Sequence, residues 1–350
     1  MDKKNIINWL REKNEDKLNE LWELADSIRS KYVGEEVHLR GLIEISNYCK
    51  KNCLYCGIRI SNRKLTRYRM EDSEILECVE FAKRNGYGTI VLQSGEDPDF
   101  TKEKIAELIR KIKENANVAI TLSLGEQEKH TLELWKSAGA NRYLLRFETS
   151  DEILFKRIHS SEQAKSLENR IKQLKILKQL GYEAGSGIMI GIPYQTYESI
   201  ANDILLFKQL DLDMIGIGPY IPHPDTPLGQ EYLNKYKKDD EKFVPNTELM
   251  TYKVLALTRI ICPTVNIPAT TALATVNTRE GRILALKRGA NVIMPNLTPP
   301  KYKKLYEIYP GKSSADEPPE IIHQSIMKII EKAGRKVGTG MGNRKKIIDI

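Results

Sequence analysis

Three cysteines stand within eight positions, in Cys49-Lys-Lys-Asn-Cys53-Leu-Tyr-Cys56. Thiolates are soft donors, and three of them spaced by three residues and then two can converge from one loop on a soft metal centre. Structural zinc sites more often draw four ligands from two separated pairs. The nearest histidine is His38, and Cys78 and Cys262 fall in helical patterns where cysteine acts as a small core residue. Thiolates also hold iron–sulfur clusters. Three cysteines on a cubane of four irons leave one iron open to a small molecule. A Cys₃His zinc site and chance spacing are the alternatives. Five cysteines is an odd number, and these three are too close together to staple distant elements, so a disulfide framework is not expected.

Other residues carry weaker signals. Ser94-Gly95-Glu96-Asp97 ends an apolar run. A glycine there lets backbone approach closely, although an ordinary strand-to-helix turn with acidic caps reads the same way. Arg142 and Arg146 lie four apart on one strand and so share a face. A buried arginine needs an anion, and a ligand carboxylate is the natural one. Ser123, Thr270 and Thr271 place hydroxyls at strand ends, where such residues are commonplace. Gly338-Thr-Gly-Met-Gly342 mimics a nucleotide-binding glycine pattern, but it neither follows a strand nor opens a helix and reads as a flexible tail. There is no complete P-loop and no His-Glu-x-x-His.

The elements that position these residues alternate in type. Strands are expected at His38–Ser46, Thr89–Ser94, Val118–Leu124, Arg142–Glu148, Glu183–Gly191, Met214–Ile221, Asn266–Thr275 and Asn291–Asn296. Several are continuous Val/Ile/Leu runs, as in strands buried on both faces of a parallel sheet. Helical periods lie between them at Glu74–Lys83, Lys102–Asn115, Leu167–Leu180 and Glu248–Ile261, with one more helix at Glu15–Ser30 before the first strand. Eight strands alternating with helices give an α/β fold, a (β/α)₈ TIM-type barrel with N-terminal extra helices and its site at the C-terminal rim and interior. A six-stranded partial barrel or an open sheet is the alternative. Pro222–Pro245, with its charged run Lys235–Lys242, is long enough to be a lid, and a plain charged excursion fits it equally well. The expected division is an N-terminal helical extension over 1–36, the barrel over 37–310, and a C-terminal helix and tail over 311–350 that close the barrel.

Composition agrees with a soluble globular chain. Of 350 residues, 41% are hydrophobic and 29% charged, and no apolar run approaches the roughly 20 residues of a membrane helix. The N-terminus carries no secretory pattern, so the cytoplasm is expected. The net charge of +8 is spread over helices without interleaved aromatics, which reads as a solvated surface rather than a nucleic-acid face.

The pattern Cx₃CxΦC, with Tyr55 before the last cysteine and the motif placed after the first barrel strand, is similar to that of the radical S-adenosylmethionine (SAM) superfamily. Ser94–Pro98, Thr121–Glu126, Arg142–Thr149, Gly216–Pro227, Asn266–Thr271 and Gly289–Asn296 resemble its FeFe-hydrogenase maturase group, the HydE type. Biotin synthase and methylornithine synthase are more distant. The resemblance implies one 4Fe–4S cluster on Cys49, Cys53 and Cys56, whose open iron chelates SAM. It implies reductive cleavage of SAM to methionine and a 5′-deoxyadenosyl radical. By the same resemblance Gln93, Ser94, Gly95 and Glu96 hold the methionine ammonium, and Glu148 contacts the ribose and amino group. Arg170 would pair with the SAM carboxylate, while Tyr55 and Met189 pack on the adenine. Arg146, Ser123, Thr270, Thr271, Tyr306 and Tyr309 would face the substrate. The implied substrate is a cysteine-bound iron carrying carbonyls and cyanide, supplied by a partner maturase, with ferredoxin or flavodoxin as reductant. A small amino-acid substrate, as in methylornithine synthase, is the competing expectation. Some members carry a second cluster near the C-terminus, but Gly311–Pro319 here has no cysteine, so none is expected.

Overall fold

The structure, a computed structural model, describes residues 1–159, 166–236 and 240–345. Two helices precede the barrel. Asp2 caps α1 (Lys3–Arg11) and Asn14 caps α2 (Glu15–Val33), each accepting a backbone N–H three residues on. The chain then runs β1 (Glu36–Ser46), α3 (Asp72–Arg84), β2 (Thr89–Ser94), α4 (Lys102–Asn115), β3 (Ala119–Ser123), α5 (Lys129–Ser137) and β4 (Arg142–Leu144). It continues through α6 (Glu152–Ile158), α7 (Leu167–Gln179), β5 (Glu183–Ile190), α8 (Tyr197–Gln209) and β6 (Met214–Pro219). Next come α9 (Pro227–Asn234), α10 (Glu248–Ile261), α11 (Thr271–Val276), α12 (Gly281–Lys287), β7 (Val292–Ile293), α13 (Pro300–Lys303), α14 (Pro319–Lys332) and β8 (Lys336–Val337).

All pairings between these strands are parallel, in the order β6-β5-β4-β3-β2-β1-β7. The arc closes through residues 266–268, where Asn266 bridges Met214 of β6 and Pro268 bridges Val292 of β7. The ring therefore has eight staves, as expected. The seventh is only a short bridge, and the expected strand Asn266–Thr275 turns into a helix instead. Pro268 cannot donate to a ladder, and Thr270 caps α11 by accepting from Leu273 N. β4 also ends early, at Leu144, and Glu148 returns as a single bridge to Ile188 with φ 65°. The strand residues that alternate with the wall of the barrel's cavity face the helices and are apolar and buried, with Ile43, Ile90, Leu92, Ile120, Leu122, Ile188 and Ile217 at 0% exposure.

The glycine-rich tail is not loose. It runs under the N-terminal mouth of the barrel, where the Met341 carbonyl accepts from Thr89 Oγ1 (2.9 Å) and Arg142 Nη2 (2.8 Å), and the Gly342 carbonyl from Arg40 Nη2 (3.2 Å). Unpaired polar groups at a barrel floor need such partners. The Pro222–Pro245 excursion contains α9, and part of its charged run, residues 237–239, lies outside the described residues. Among the described residues no helix is long and apolar enough to cross a membrane.

Candidate active site

A cavity of about 350 Å³ fills the barrel and opens at its C-terminal rim. Cys49, Cys53 and Cys56 lie in its wall, together with Tyr55, Gln93, Ser94, Gly95, Glu96, Ser123, Arg146, Glu148, Arg170, Met189, Thr270, Tyr306 and Tyr309. Of the site residues that the resemblance implies, Thr271 alone is not in the wall. It is the first residue of α11, one position past the cap.

The cysteine loop follows β1. All three thiols are free, and burial pushes each pKa up, that of Cys53 to about 12. The Lys51 amide donates to Cys49 Sγ at 3.4 Å. Soft, buried donors of this kind suit iron, whose positive charge would reverse the cost of the thiolates. Among the described residues no three His, Cys, Asp or Glu side chains close on one point as ligands of a single ion would. A cluster, whose ligands each bind a different iron, does not ask them to. The residues present therefore fit a three-cysteine iron–sulfur cluster.

Two glycines let the rim close around this loop. A Cβ on Gly95 would meet the Tyr48 carbonyl at 2.3 Å and Cys49 Cβ at 2.5 Å, so only glycine lets the end of β2 touch the cysteine loop. Gly125, with φ 74°, leaves room for the Glu96 side chain, which a Cβ would strike at 2.1 Å. Glu96 accepts the Glu126 amide (2.9 Å), and the Lys50 and Lys51 ammonium groups stand 3.8 and 3.7 Å away. Burial nonetheless raises its pKa.

Arg170 is already engaged. Its Nε and Nη2 donate to Glu126 Oε1 (3.0 and 2.9 Å), and Nη1 donates to the Arg146 carbonyl (3.1 Å) and reaches His159 Nε2 (3.2 Å). That uses four of its five N–H groups. A two-pronged bond to a ligand carboxylate would need Glu126 to give way. Burial, with Arg170 beside it, holds His159 neutral, its pKa lowered to about 3. Tyr55 meets this histidine edge-on, with ring centroids 5.6 Å apart. Tyr55 and Met189 pack against one small apolar cluster with Tyr220 and Leu228, which brings together the two residues expected to face adenine.

Arg146 and Glu148 face each other across 3.0 Å, and Arg146 Nη2 also donates to the Ile188 carbonyl (2.6 Å). The sequence left the anion of Arg146 to a ligand carboxylate; in the structure Glu148 is its counter-ion. Burial raises the Glu148 pKa, and Arg146 opposes that shift. The left-handed backbone at Glu148 costs on the order of 1–3 kcal/mol and persists only where neighbours impose it. Arg142 does not reach this site. It sits on the barrel floor, paired with Glu183 and bonded to Thr89 Oγ1 (2.8 Å), so it serves the fold. Thr270 Oγ1 donates to the Ile217 carbonyl at 3.0 Å. Tyr306 is buried, Tyr309 half-buried, and both project from the segment after α13.

Sequence reasoning missed Glu126, His159 and Arg40. Arg40 lies on the cavity wall at 3% exposure, and its Nε has no hydrogen-bond partner among the described residues. The available signal was a charged residue on the same face of β1 as Leu42 and Glu44.

The fold and the thiol-lined cavity have the form of a radical SAM enzyme. The Radical SAM superfamily profile matches residues 43–241, and the chain belongs to that superfamily. Within it, the chain is 49% identical over 329 residues, 94% of its length and 90% of the other's, to the FeFe hydrogenase maturase subunit HydE of Thermotoga maritima. It is 30% identical over 282 residues to the 3-methylornithine synthase of Methanosarcina acetivorans, covering 80% of this chain and 75% of that one. A crystal structure of methylornithine synthase superposes with a TM-score of 0.81 at 25% identity, covering 96% and 94% of the two chains.

Proposed function

We propose that this chain acts as a HydE-type maturase, a radical SAM enzyme in the assembly of the diiron subcluster of FeFe-hydrogenase. The observation that carries this reading is the 49% identity over 94% of the chain. Cys49, Cys53 and Cys56 would hold one 4Fe–4S cluster, with SAM beside it. When bound, the reduced cluster and SAM supply a one-electron cleavage to methionine and a 5′-deoxyadenosyl radical.

The chain's own groups bind, orient and shelter. Glu96, beside the cysteine loop, offers a buried carboxylate to the methionine ammonium, and Gln93, Ser94 and Gly95 shape that rim. Glu148 offers an acceptor to the ribose and amino groups. Arg170, braced by Glu126, presents its remaining N–H toward the SAM carboxylate. Tyr55 and Met189 form an apolar wall for the adenine. Ser123, Thr270, Tyr306 and Tyr309 surround the interior where substrate would sit, and Thr271 supports them from the start of α11. Arg146 would turn from Glu148 to an anionic guest. A cysteine-bound iron carbonyl cyanide, delivered by a partner maturase, fits a cavity whose wall carries Arg40 and Arg146. Ferredoxin or flavodoxin would supply the electron. The chain is proposed to work in an anaerobic cytoplasm, with residues 1–36 as an extension, 37–310 as the barrel and 311–350 as its closure.

The test is hydrogenase activation in a purified maturation mixture from which the HydE component is omitted. Adding this protein should restore active hydrogenase, and its Cys53→Ala variant should not. No restoration, together with conversion of lysine to methylornithine, would favour the synthase reading, which the superposition at a TM-score of 0.81 keeps in view.

A further inference from the structure

Asp203 on α8 is fully buried, and no described cation pairs with it. Its Oδ1 accepts the backbone N–H of Ser150 at 2.5 Å, and the Ser150 hydroxyl stands beside the same carboxylate as a second donor. An uncompensated buried acid is costly to keep charged, and burial pushes its pKa up to about 8. The position supplies an acceptor to Ser150, and among the described residues no cation pairs with it.

Ser150 lies two residues past Glu148. Between them the Thr149 amide donates to the Phe147 carbonyl (2.8 Å), and the Asp151 amide to Thr149 Oγ1 (3.1 Å). Phe207, one helical turn along α8 from Asp203, packs on Phe147 with ring centroids 5.6 Å apart. One face of α8 therefore grips the chain on both sides of Glu148. The left-handed Glu148, φ 65°, is a conformation that its neighbours must impose.

We infer that Asp203 is a positioning residue for the SAM site: by anchoring the Ser150 amide it holds the turn from which Glu148 presents its carboxylate to the cavity. The inference rests on Glu148 contacting SAM. The required property of Asp203 is its acceptor oxygen.

A double-mutant cycle tests this, with SAM affinity measured by calorimetry on anaerobically reconstituted protein and iron content checked in each variant. Loss of the anchoring bond in Asp203→Ala should weaken SAM binding about ten-fold at unchanged iron content. Asp203→Asn keeps an amide oxygen for Ser150 and should stay within about three-fold of wild type. Glu148→Ala should weaken binding by itself, and adding Asp203→Ala to it should change affinity by less than about two-fold. Equal losses from Asp203→Ala with and without Glu148, or no loss, would overturn the inference while leaving the site intact. An unchanged affinity in Glu148→Ala alone would overturn the reading of Glu148, and the inference with it. If Asp203→Ala does not fold, Asp203→Ser, whose hydroxyl falls short of the Ser150 amide, takes its place with the same expectations.

Discussion

Replacing Gly95 with alanine asks a single methyl group to decide whether the cysteine loop can sit where it does. The added Cβ would lie 2.3 Å from the Tyr48 carbonyl oxygen, 2.5 Å from Cys49 Cβ and 3.1 Å from Cys49 Cα. Ordinary contacts of this kind are about 3.4 Å or more, so backbone must move by about 1 Å. Neither obstacle is the free end of a flexible side chain: one is a carbonyl and the other the root of a thiol donor. Overpacking of this sort costs about 1–3 kcal/mol, and here the strain falls on Cys49. Gly95→Ala should therefore fold with a lowered melting temperature and, after anaerobic reconstitution, retain well under half of the wild-type iron and sulfide. Gly216→Ala is the matched control. It also lies on the cavity wall, but its Cβ would come no nearer than 3.8 Å to any described atom beyond its chain neighbours, so cluster content should be unchanged. Wild-type iron content in Gly95→Ala would refute the claim that β2 and the cysteine loop are pressed together by necessity.

Cys53→Ala should abolish cluster binding, whereas Cys78→Ala should keep it, because Cys78 is buried on α3 with its Sγ directed at the Leu297 carbonyl (3.3 Å); loss of iron from the second variant would contradict this. Lys312 and Glu44 form a buried ion pair, with Asn296 Nδ2 also on Glu44 (2.8 Å). Lys312→Met should strand the acid at a cost of about 3–5 kcal/mol, and adding Glu44→Gln should recover much of the lost melting temperature; no recovery would show the lysine matters for another reason. The folded His159 stays neutral to about pH 3, while the unfolded side chain takes up a proton near pH 6.5. Stability should thus be present above about pH 6.5 and fall on acidification toward pH 3, and His159→Gln should flatten that slope by up to about one proton in urea titrations.

What could be read from the sequence follows from how local each feature is. The cysteine loop was legible because its three donors share eight residues, and β2 and α4 because apolar runs and a capping Thr101 mark their ends. Arg142 and Arg146 were expected on one face of one strand, but β4 ends at Leu144 and leaves Arg146 beyond it; four extended residues span about 13 Å, enough to separate the barrel floor from the rim. Their partners, Glu183 and Glu148, decide their roles, and pairing across strands leaves no local mark. The engagement of Arg170 by Glu126 is likewise a contact between a helix and a distant loop. The left-handed Glu148 departs from the alternation that a regular strand would show. The tail looked loose because glycines and lysines carry no apolar period, whereas its backbone carbonyls are what the barrel-floor arginines need.

The most direct test is reductive cleavage of SAM. Anaerobically reconstituted protein, holding about four irons and four sulfides per chain, should convert SAM to methionine and 5′-deoxyadenosine when reduced, and Cys53→Ala should form neither product. Protein that binds zinc in place of iron, or that carries a full cluster and binds SAM yet leaves it intact under strong reduction, would contradict the assignment of this cavity to radical chemistry.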